Sequence, residues 1–358
     1  MLFDSIYNEK VFTMSRALCD MKSIPVEESV GSILCHDITQ IIPGEVKGPI
    51  FRKGHIVCAE DIPVLLRVGK EHLYVYEPVP GILHEDEAAF RIASAVVGKN
   101  ISLSAPSEGR INFHAEIPGL LCIAPDKLLA VNSLDEIALA TLHGMQEVKK
   151  GQAVGGTRVI PLIIEEEKIV RLEELVPSPF IEVLPFRSVR VGIVTTGSEI
   201  YHGRIKDAFG PVLERKFRDW SCFIMGQRFT SDDVDMTSTA IQEFIHQGAD
   251  MVMVTGGMSV DPDDKTPTAI RQAGATIISY GAPTFPGAMF LLAFLGKIPV
   301  LGLPGCVMYN DASIFELIVP RLLAGLEVTR RDIAMLGHGG FCATCPECRY
   351  PVCPFGKG

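Results

Sequence analysis

The sequence contains no long block of lysine or arginine: 33 basic residues stand against 43 acidic ones, a net charge of −10. The field needed to hold a polyanionic nucleic acid along a track is missing, which excludes nucleic acid as the expected partner. Long apolar runs are also lacking. The most apolar stretch, Ala288 to Leu303, is interrupted by Gly296, Lys297 and Pro299, so it reads as buried core and not as a membrane span. Met1 to Ser15 has neither the basic start nor the apolar centre of a secretory signal. Internal repeats and low-complexity tracts are absent. The expectation is a cytoplasmic protein with no membrane partner.

What remains is globular in character. A hydrophobic share of 47% and a charged share of 21% argue for folding, and 358 residues suffice for two or three domains with sizeable cores. Cys19, Cys35, Cys58, Cys122, Cys222 and Cys306 are scattered among apolar neighbours, as free thiols are in a reducing compartment. The other four of the ten cysteines gather near the C-terminus.

The grammar changes along the chain. Residues 1–80 combine a helical start with short strands, the phrase Val26 to Leu34 reading as a turn that leads into a β segment. Residues 81–175 hold one helix, Glu85 to Val97, then short β runs divided by Gly, Asn and Pro, which suggests a β-rich barrel or sandwich. A Pro-containing stretch, 176–187, reads as linker. From 188 to 330 strand and helix alternate. Strands are expected at Val189–Val194, Cys222–Gly226, Met251–Val254, Thr276–Tyr280 and Val300–Leu303. Helices are expected at Val212–Trp220, Asp233–His246 with Ser231 as candidate cap, Thr266–Gln272 and, as one long helix, Val307–Leu323. The pattern predicts an α/β domain with a mostly parallel sheet and helices on both faces, beside smaller β-rich N-terminal domains.

In such a sheet ligands sit outside the carboxyl ends of the strands. The loops there have unusual composition: Thr195-Thr196-Gly197-Ser198-Glu199, Thr230-Ser231-Asp232-Asp233, and Thr255-Gly256-Gly257-Met258-Ser259 running on to Asp263-Asp264. Glycine at a strand end lets the backbone approach a ligand, and successive N–H groups can cradle phosphate oxygens. Hydroxyls of Thr255 and Ser259 would add donors. A fourth loop, Gly302-Leu303-Pro304-Gly305-Cys306, turns from strand into helix. Each acid also has a plainer reading. Glu199 can be a solvated loop residue, Asp232 and Asp233 can cap the next helix, and Asp261, Asp263 and Asp264 can form a polar turn.

Taken in order, Thr196-Gly197-Ser198-Glu199-Ile200, the pair Asp232-Asp233, Thr255-Gly256-Gly257-Met258-Ser259-Val260 ending in Asp264, and Gly302-Leu303-Pro304-Gly305 resemble the motifs of the molybdopterin-binding domain. That domain is shared by molybdopterin molybdenumtransferases, molybdopterin adenylyltransferases, gephyrin and the competence-damage-inducible proteins. The resemblance implies a molybdopterin-binding fold with molybdopterin or its adenylylated form held by Thr196, Gly197, Ser198, Thr255, Gly256, Gly257, Ser259, Pro304 and Gly305. It implies catalytic acids at Glu199, Asp232 and Asp264, with Mg²⁺ at Asp232 and Asp264 to offset repulsion between carboxylates and anionic pterin or molybdate. Asp232 or Glu199 would alternatively act as general base for a water. A homo-oligomer and a molybdoenzyme client are further implications.

The chain departs from that family where Pro304-Gly305-Cys306-Val307 replaces Pro-Gly-Asn-Pro and Pro286-Gly287-Ala288-Met289 replaces Pro-Gly-Lys-Pro. The Asn expected after the first acidic loop is missing from Asp207-Ala208-Phe209, and Asp261 replaces a glycine. Residues 26–37 and 54–76 resemble the opening of the molybdenumtransferases only faintly, without the Asp-Gly-Tyr-Ala segment expected between them. Three functions therefore stand open: insertion of molybdenum into molybdopterin with Mg²⁺, a non-catalytic carrier, sensor or chaperone, and a nucleotide pyrophosphatase of the competence-damage-inducible type. The tail 331–358 carries Cys342, Cys345, Cys348 and Cys353, a spacing suited to Zn²⁺ or a [4Fe-4S] cluster; His338 is a candidate substitute ligand.

Overall fold

The computed structural model describes residues 22–42, 46–75, 80–258 and 264–358. The expected helical start before residue 22, and with it Cys19, lies outside the described residues, as do Ser259, Asp261 and Asp263. The chain divides into two compact units, one of Met1–Ala115, Ala124–Leu142 and Gln152–Glu182, the other of Glu116–Ile123, His143–Gly151 and Val183–Gly358.

The second unit carries the strand–helix alternation. Its strands are β1 (Arg190–Thr196), β2 (Phe223–Thr230), β3 (Met251–Thr255), β4 (Thr276–Tyr280), β5 (Leu291–Leu295) and β6 (Ile298–Leu303). Its helices are α1 (Ser198–Tyr201), α2 (Phe209–Asp219), α3 (Val234–His246), α4 (Thr266–Gln272), α5 (Cys306–Tyr309), α6 (Ile314–Leu323) and α7 (Arg330–Met335). The six strands form one sheet in the order β2-β1-β3-β6-β5-β4. Parallel pairing joins β2, β1, β3 and β6, and β5 alone runs against its neighbours.

Burial explains why these segments are strands. Along β3 Met251 and Met253 enter one core with Val191, Ile193 and Leu301, and this core is closed by Leu213 and Phe217 of α2 and by Phe315 and Ile318 of α6. Val252 and Val254 enter the other core with Val194 and Val300, closed by Ile241 and Phe244 of α3 and Ile270 of α4. The alternation of side chains on a pleated strand thus feeds two apolar layers, and only helices on both faces can cover them. Gly192 is required by the same packing: a Cβ there would lie 2.4 Å from the Phe244 ring.

Two local expectations are corrected. Ser231 does not cap α3; Asp233 does, accepting the Met236 N–H at 2.8 Å. The long helix expected over Val307–Leu323 is two helices, because Asn310 is extended and Ser313 opens α6 with a capping box to Glu316. The apolar stretch Ala288–Leu303 folds as a hairpin of β5 and β6 turning at Gly296, whose φ of 61° fits the tight turn.

In the first unit the strands Lys22–Pro25 and His72–Val75 pair antiparallel, as do Ile38–Ile42 and Val46–Phe51. Farther along, Ile101–Leu103, Arg110–Ala115, Ala153–Val159 and Ile137–Thr141 make an open four-stranded antiparallel sheet. The helix Glu85–Val96 buries Ala88, Ala89, Ile92, Ala93 and Val96 completely, so a helix packs where a sandwich would place a second sheet. The stretch read as linker contains a strand, Ile181–Leu184.

The C-terminal segment is built onto the α/β unit. Phe355 is buried in the core that contains Phe315 and Leu317, with Cys342, Tyr350 and Cys353 packed against it. The Tyr350 hydroxyl donates to the Glu316 carbonyl at 3.0 Å.

Candidate functional site

Parallel pairing brings the ends of four strands into line. Thr196 lies opposite Thr230, Thr195 opposite Thr255, and Thr255 opposite Leu303, so the loops that follow β1, β2, β3 and β6 emerge at one end of the sheet. This is the end at which parallel α/β sheets bind ligands.

The loop after β1 is tied to the loop after β2. One oxygen of Asp232 accepts the Thr196 hydroxyl at 3.1 Å and the other accepts the Ser198 N–H at 2.8 Å. Thr196 also meets the Ser231 carbonyl at 3.2 Å, and the Gly197 N–H donates to the Thr230 carbonyl at 3.1 Å. Both oxygens of Asp232 are thus engaged in setting the Thr196-Gly197-Ser198 turn. Glu199, in the first turn of α1, is exposed, and Asp264 is half-buried just before α4.

The loop after β3 lies directly against the β1 loop. Gly256 has φ of +86° and Gly257 of +53°, the left-handed region that favours glycine. A Cβ on Gly256 would sit 2.1 Å from the Thr196 carbonyl oxygen, and one on Gly257 would sit 2.8 Å from the Thr266 hydroxyl. Thr266 fixes this turn from α4 by donating to the Gly256 carbonyl at 2.9 Å. The loop after β6 has a buried Pro304 and an exposed Gly305 with open space around its Cα. Of the residues expected to hold a ligand, the structure brings Thr196, Gly197, Ser198, Gly256 and Asp232 into mutual contact. Thr255 lies at the floor, Gly257 packs on Thr266, and Pro304 and Gly305 follow at the next strand end.

Asp207 and Gln227, which the sequence does not single out as site residues, support these loops from below together with Thr195 and Thr255. Asp207 accepts the N–H groups of Phe209 and Gly210 at 3.0 and 2.9 Å and thereby starts α2. Gln227 on β2 donates to Asp207 and to the Thr195 hydroxyl, both at 2.8 Å. The Thr255 hydroxyl meets Thr195 at 3.1 Å. An Asp two residues before a helix start is a cap signal available in the sequence; Gln227 leaves no comparable trace.

The metals implied by the resemblance find no ready cage at these positions. Asp232 spends both oxygens on the protein, and among the described residues no three His, Cys, Asp or Glu side chains come together as a metal site. The tail cysteines are free thiols, with Cys345 and Cys348 exposed and Cys342 and Cys353 against the core.

Fold and site together define an α/β domain whose glycine-rich loops converge at the carboxyl ends of the parallel strands. Residues 192–324 match a family described as a probable molybdopterin binding domain. Residues 23–77 match a domain of unknown function. A molybdopterin molybdenumtransferase from Synechococcus elongatus is 25% identical over 47% of this chain and 42% of its own. A molybdopterin molybdenumtransferase from Staphylococcus epidermidis is 22% identical over 79% of this chain and 66% of its own. A CinA-like protein from Syntrophus aciditrophicus is 37% identical over 24% of this chain and 20% of its own. The chain thus spans less than two thirds of the length of these curated relatives. Among solved structures, the tungsten cofactor synthesizing protein MoaB from Pyrococcus furiosus is 20% identical, covering 38% of this chain and 92% of its own with a TM-score of 0.32. Among the described residues no helix is long and apolar enough to cross a membrane.

Proposed function

We propose that the α/β unit binds molybdopterin or its adenylylated form across the loops after β1, β2, β3 and β6, and that the protein inserts molybdenum into it. The observation that carries this reading is the coincidence of the family match with the loop cluster: residues 192–324 contain all four loops. In this reading the left-handed Gly256 and Gly257 bring backbone close to the ligand, in a turn too tight against the Thr196 carbonyl and the Thr266 hydroxyl to hold a Cβ. Asp232 holds the Thr196–Ser198 turn in its binding shape through two hydrogen bonds. In this reading Glu199, exposed in the first turn of α1, and Asp264, half-buried before α4, are the acids that would act on a reacting group.

The 37% identity to a CinA-like protein over 87 residues favours one competing reading, hydrolysis of a nucleotide pyrophosphate by the same loops. One experiment separates them. Isothermal titration with molybdopterin and adenylylated molybdopterin, with and without Mg²⁺, is followed by product analysis in the presence of molybdate. Binding with molybdate-dependent release of AMP is the expected result. Binding without turnover makes the protein a carrier, molybdate-independent cleavage of a nucleotide favours the pyrophosphatase, and no binding of either pterin overturns the proposal.

A further inference from the structure

We infer that Gln227, oriented by Asp207, is a positioning residue for the ligand loops: its side-chain amide sets the hydroxyl pair Thr195 and Thr255 on which those loops stand. This role rests on the proposed binding site and specifies how this chain shapes it.

Hydrogen-bond direction fixes the orientation of the amide. Ionised Asp207 can only accept, and it takes three donors: the N–H groups of Phe209 and Gly210 and the amide of Gln227. The Gln227 nitrogen therefore faces Asp207, and the same nitrogen donates its other proton to Thr195 at 2.8 Å. Its two protons are both committed. Thr195, 1% exposed, accepts from Gln227 and from Thr255, which is fully buried. The chain of bonds runs from the start of α2 across β2 and β1 to β3. The residue following Thr195 is Thr196, which Asp232 grips, and the residue following Thr255 is Gly256, which lies against the Thr196 carbonyl. Two ligand loops thus begin one residue beyond the two hydroxyls that Gln227 orders.

The seat for Gln227 is specific. A Cβ on Gly210 would stand 2.3 Å from the Gln227 amide oxygen and 2.8 Å from Asp207, so the glycine leaves room for this contact. Gln227 and Asp207 are half-buried, whereas Thr195 and Thr255 are buried, so a donor or acceptor left unmade at the hydroxyl end of this chain is costly because water cannot replace it there.

The test uses Gln227→Glu and Gln227→Met in the full chain, with folding verified by thermal melts. Ionised Glu cannot donate to Thr195 and faces the like charge of Asp207; protonated Glu regains one donor. Native-state hydrogen exchange at the Ser198 amide, bonded to Asp232, reads loop order without any ligand. At pH 8 both variants are expected to lose protection by about tenfold relative to wild type, the scale of one hydrogen bond. At pH 5 Gln227→Glu should recover towards wild type while Gln227→Met does not. Wild-type protection in Gln227→Glu at pH 8, or parallel behaviour of the two variants across the pH range, overturns the inference. Molybdopterin titration of the same proteins is scored separately. Failure of wild type to bind removes the proposed function, whereas binding unaffected by Gln227→Glu removes only the role of Gln227.

Discussion

Adding one methyl group at Gly256 should disable the site, whereas the same addition at Gly305 should be tolerated. At Gly256 the φ of +86° costs an L-residue about 1–2 kcal/mol. The new Cβ would also stand 2.1 Å from the Thr196 carbonyl oxygen, against rigid backbone of the neighbouring strand end. Relieving that overlap requires the loop to shift, at roughly 1–3 kcal/mol by analogy with overpacked cores. The sum is ~2–5 kcal/mol in stability. Gly305 has φ of −54° and nothing within 4 Å of its built Cβ, so Gly305→Ala should stay within about 0.5 kcal/mol of wild type. Urea denaturation monitored at Trp220, which lies in the core of this unit, measures both variants, and molybdopterin titration measures the loop. Equal stability of Gly256→Ala and wild type, or equal damage from the two substitutions, would refute the reasoning.

Three further outcomes are expected. Lys216 pairs with Glu316, whose residue is 8% exposed, so Lys216→Met should cost about 3–5 kcal/mol by leaving a buried carboxylate unpaired. Adding Glu316→Gln should recover part of that loss in the same denaturation assay, and an undiminished stability of the single variant would contradict it. In the first unit, burial and then the neighbouring Asp86 charge push Glu85 up to about 7 from an ordinary 4.5. The folded state holds this proton more tightly, so the contribution to stability is complete below pH 4.5 and vanishes as the pH rises through 7. Glu85→Gln should flatten the stability profile across that window and be more stable than wild type at pH 8, on the order of 1 kcal/mol after solvent screening. Thiol labelling with iodoacetamide should reach exposed Cys58, Cys345 and Cys348 quickly, and Cys35 only on unfolding, because burial raises its pKa to about 11. Labelling of Cys345 and Cys348 that appears only after a chelator is added would show that a metal gathers the tail.

The parallel part of the sheet is legible in the sequence because buried β-branched runs such as Val191 to Val194 alternate with amphipathic helices at regular spacing. The glycines of the β3 loop can be recognised because other residues rarely accept their backbone angles. Segment ends are less clear. Asp233 and Ser231 are both good caps, and only the path of the chain decides between them. The reversed β5 is hidden in the apolar stretch Ala288 to Leu303, where Gly296 and Lys297 mark a break but periodicity does not separate a hairpin from a single buried element. The bonds beneath the loops are invisible because Asp207, Gln227, Thr195 and Thr255 are distant in sequence and meet only in the fold, although Thr195 and Thr255 themselves stand out at strand ends. The tail illustrates the converse. Its cysteine spacing draws attention, whereas Phe355 and Tyr350 are what attach it to the core.

The alignment of strand ends also acts as a ruler. Neighbouring strands lie ~4.8 Å apart, so three steps from β2 through β1 and β3 to β6 separate the outer loops by roughly 14 Å. A compact oxyanion such as molybdate can bridge one of those steps. A molecule that touches the Asp232 loop and the Gly305 loop together must span roughly 14 Å. If the proposed site is occupied across all four loops, the strand spacing selects by length, and a ligand cut in half would forfeit one of the outer loops.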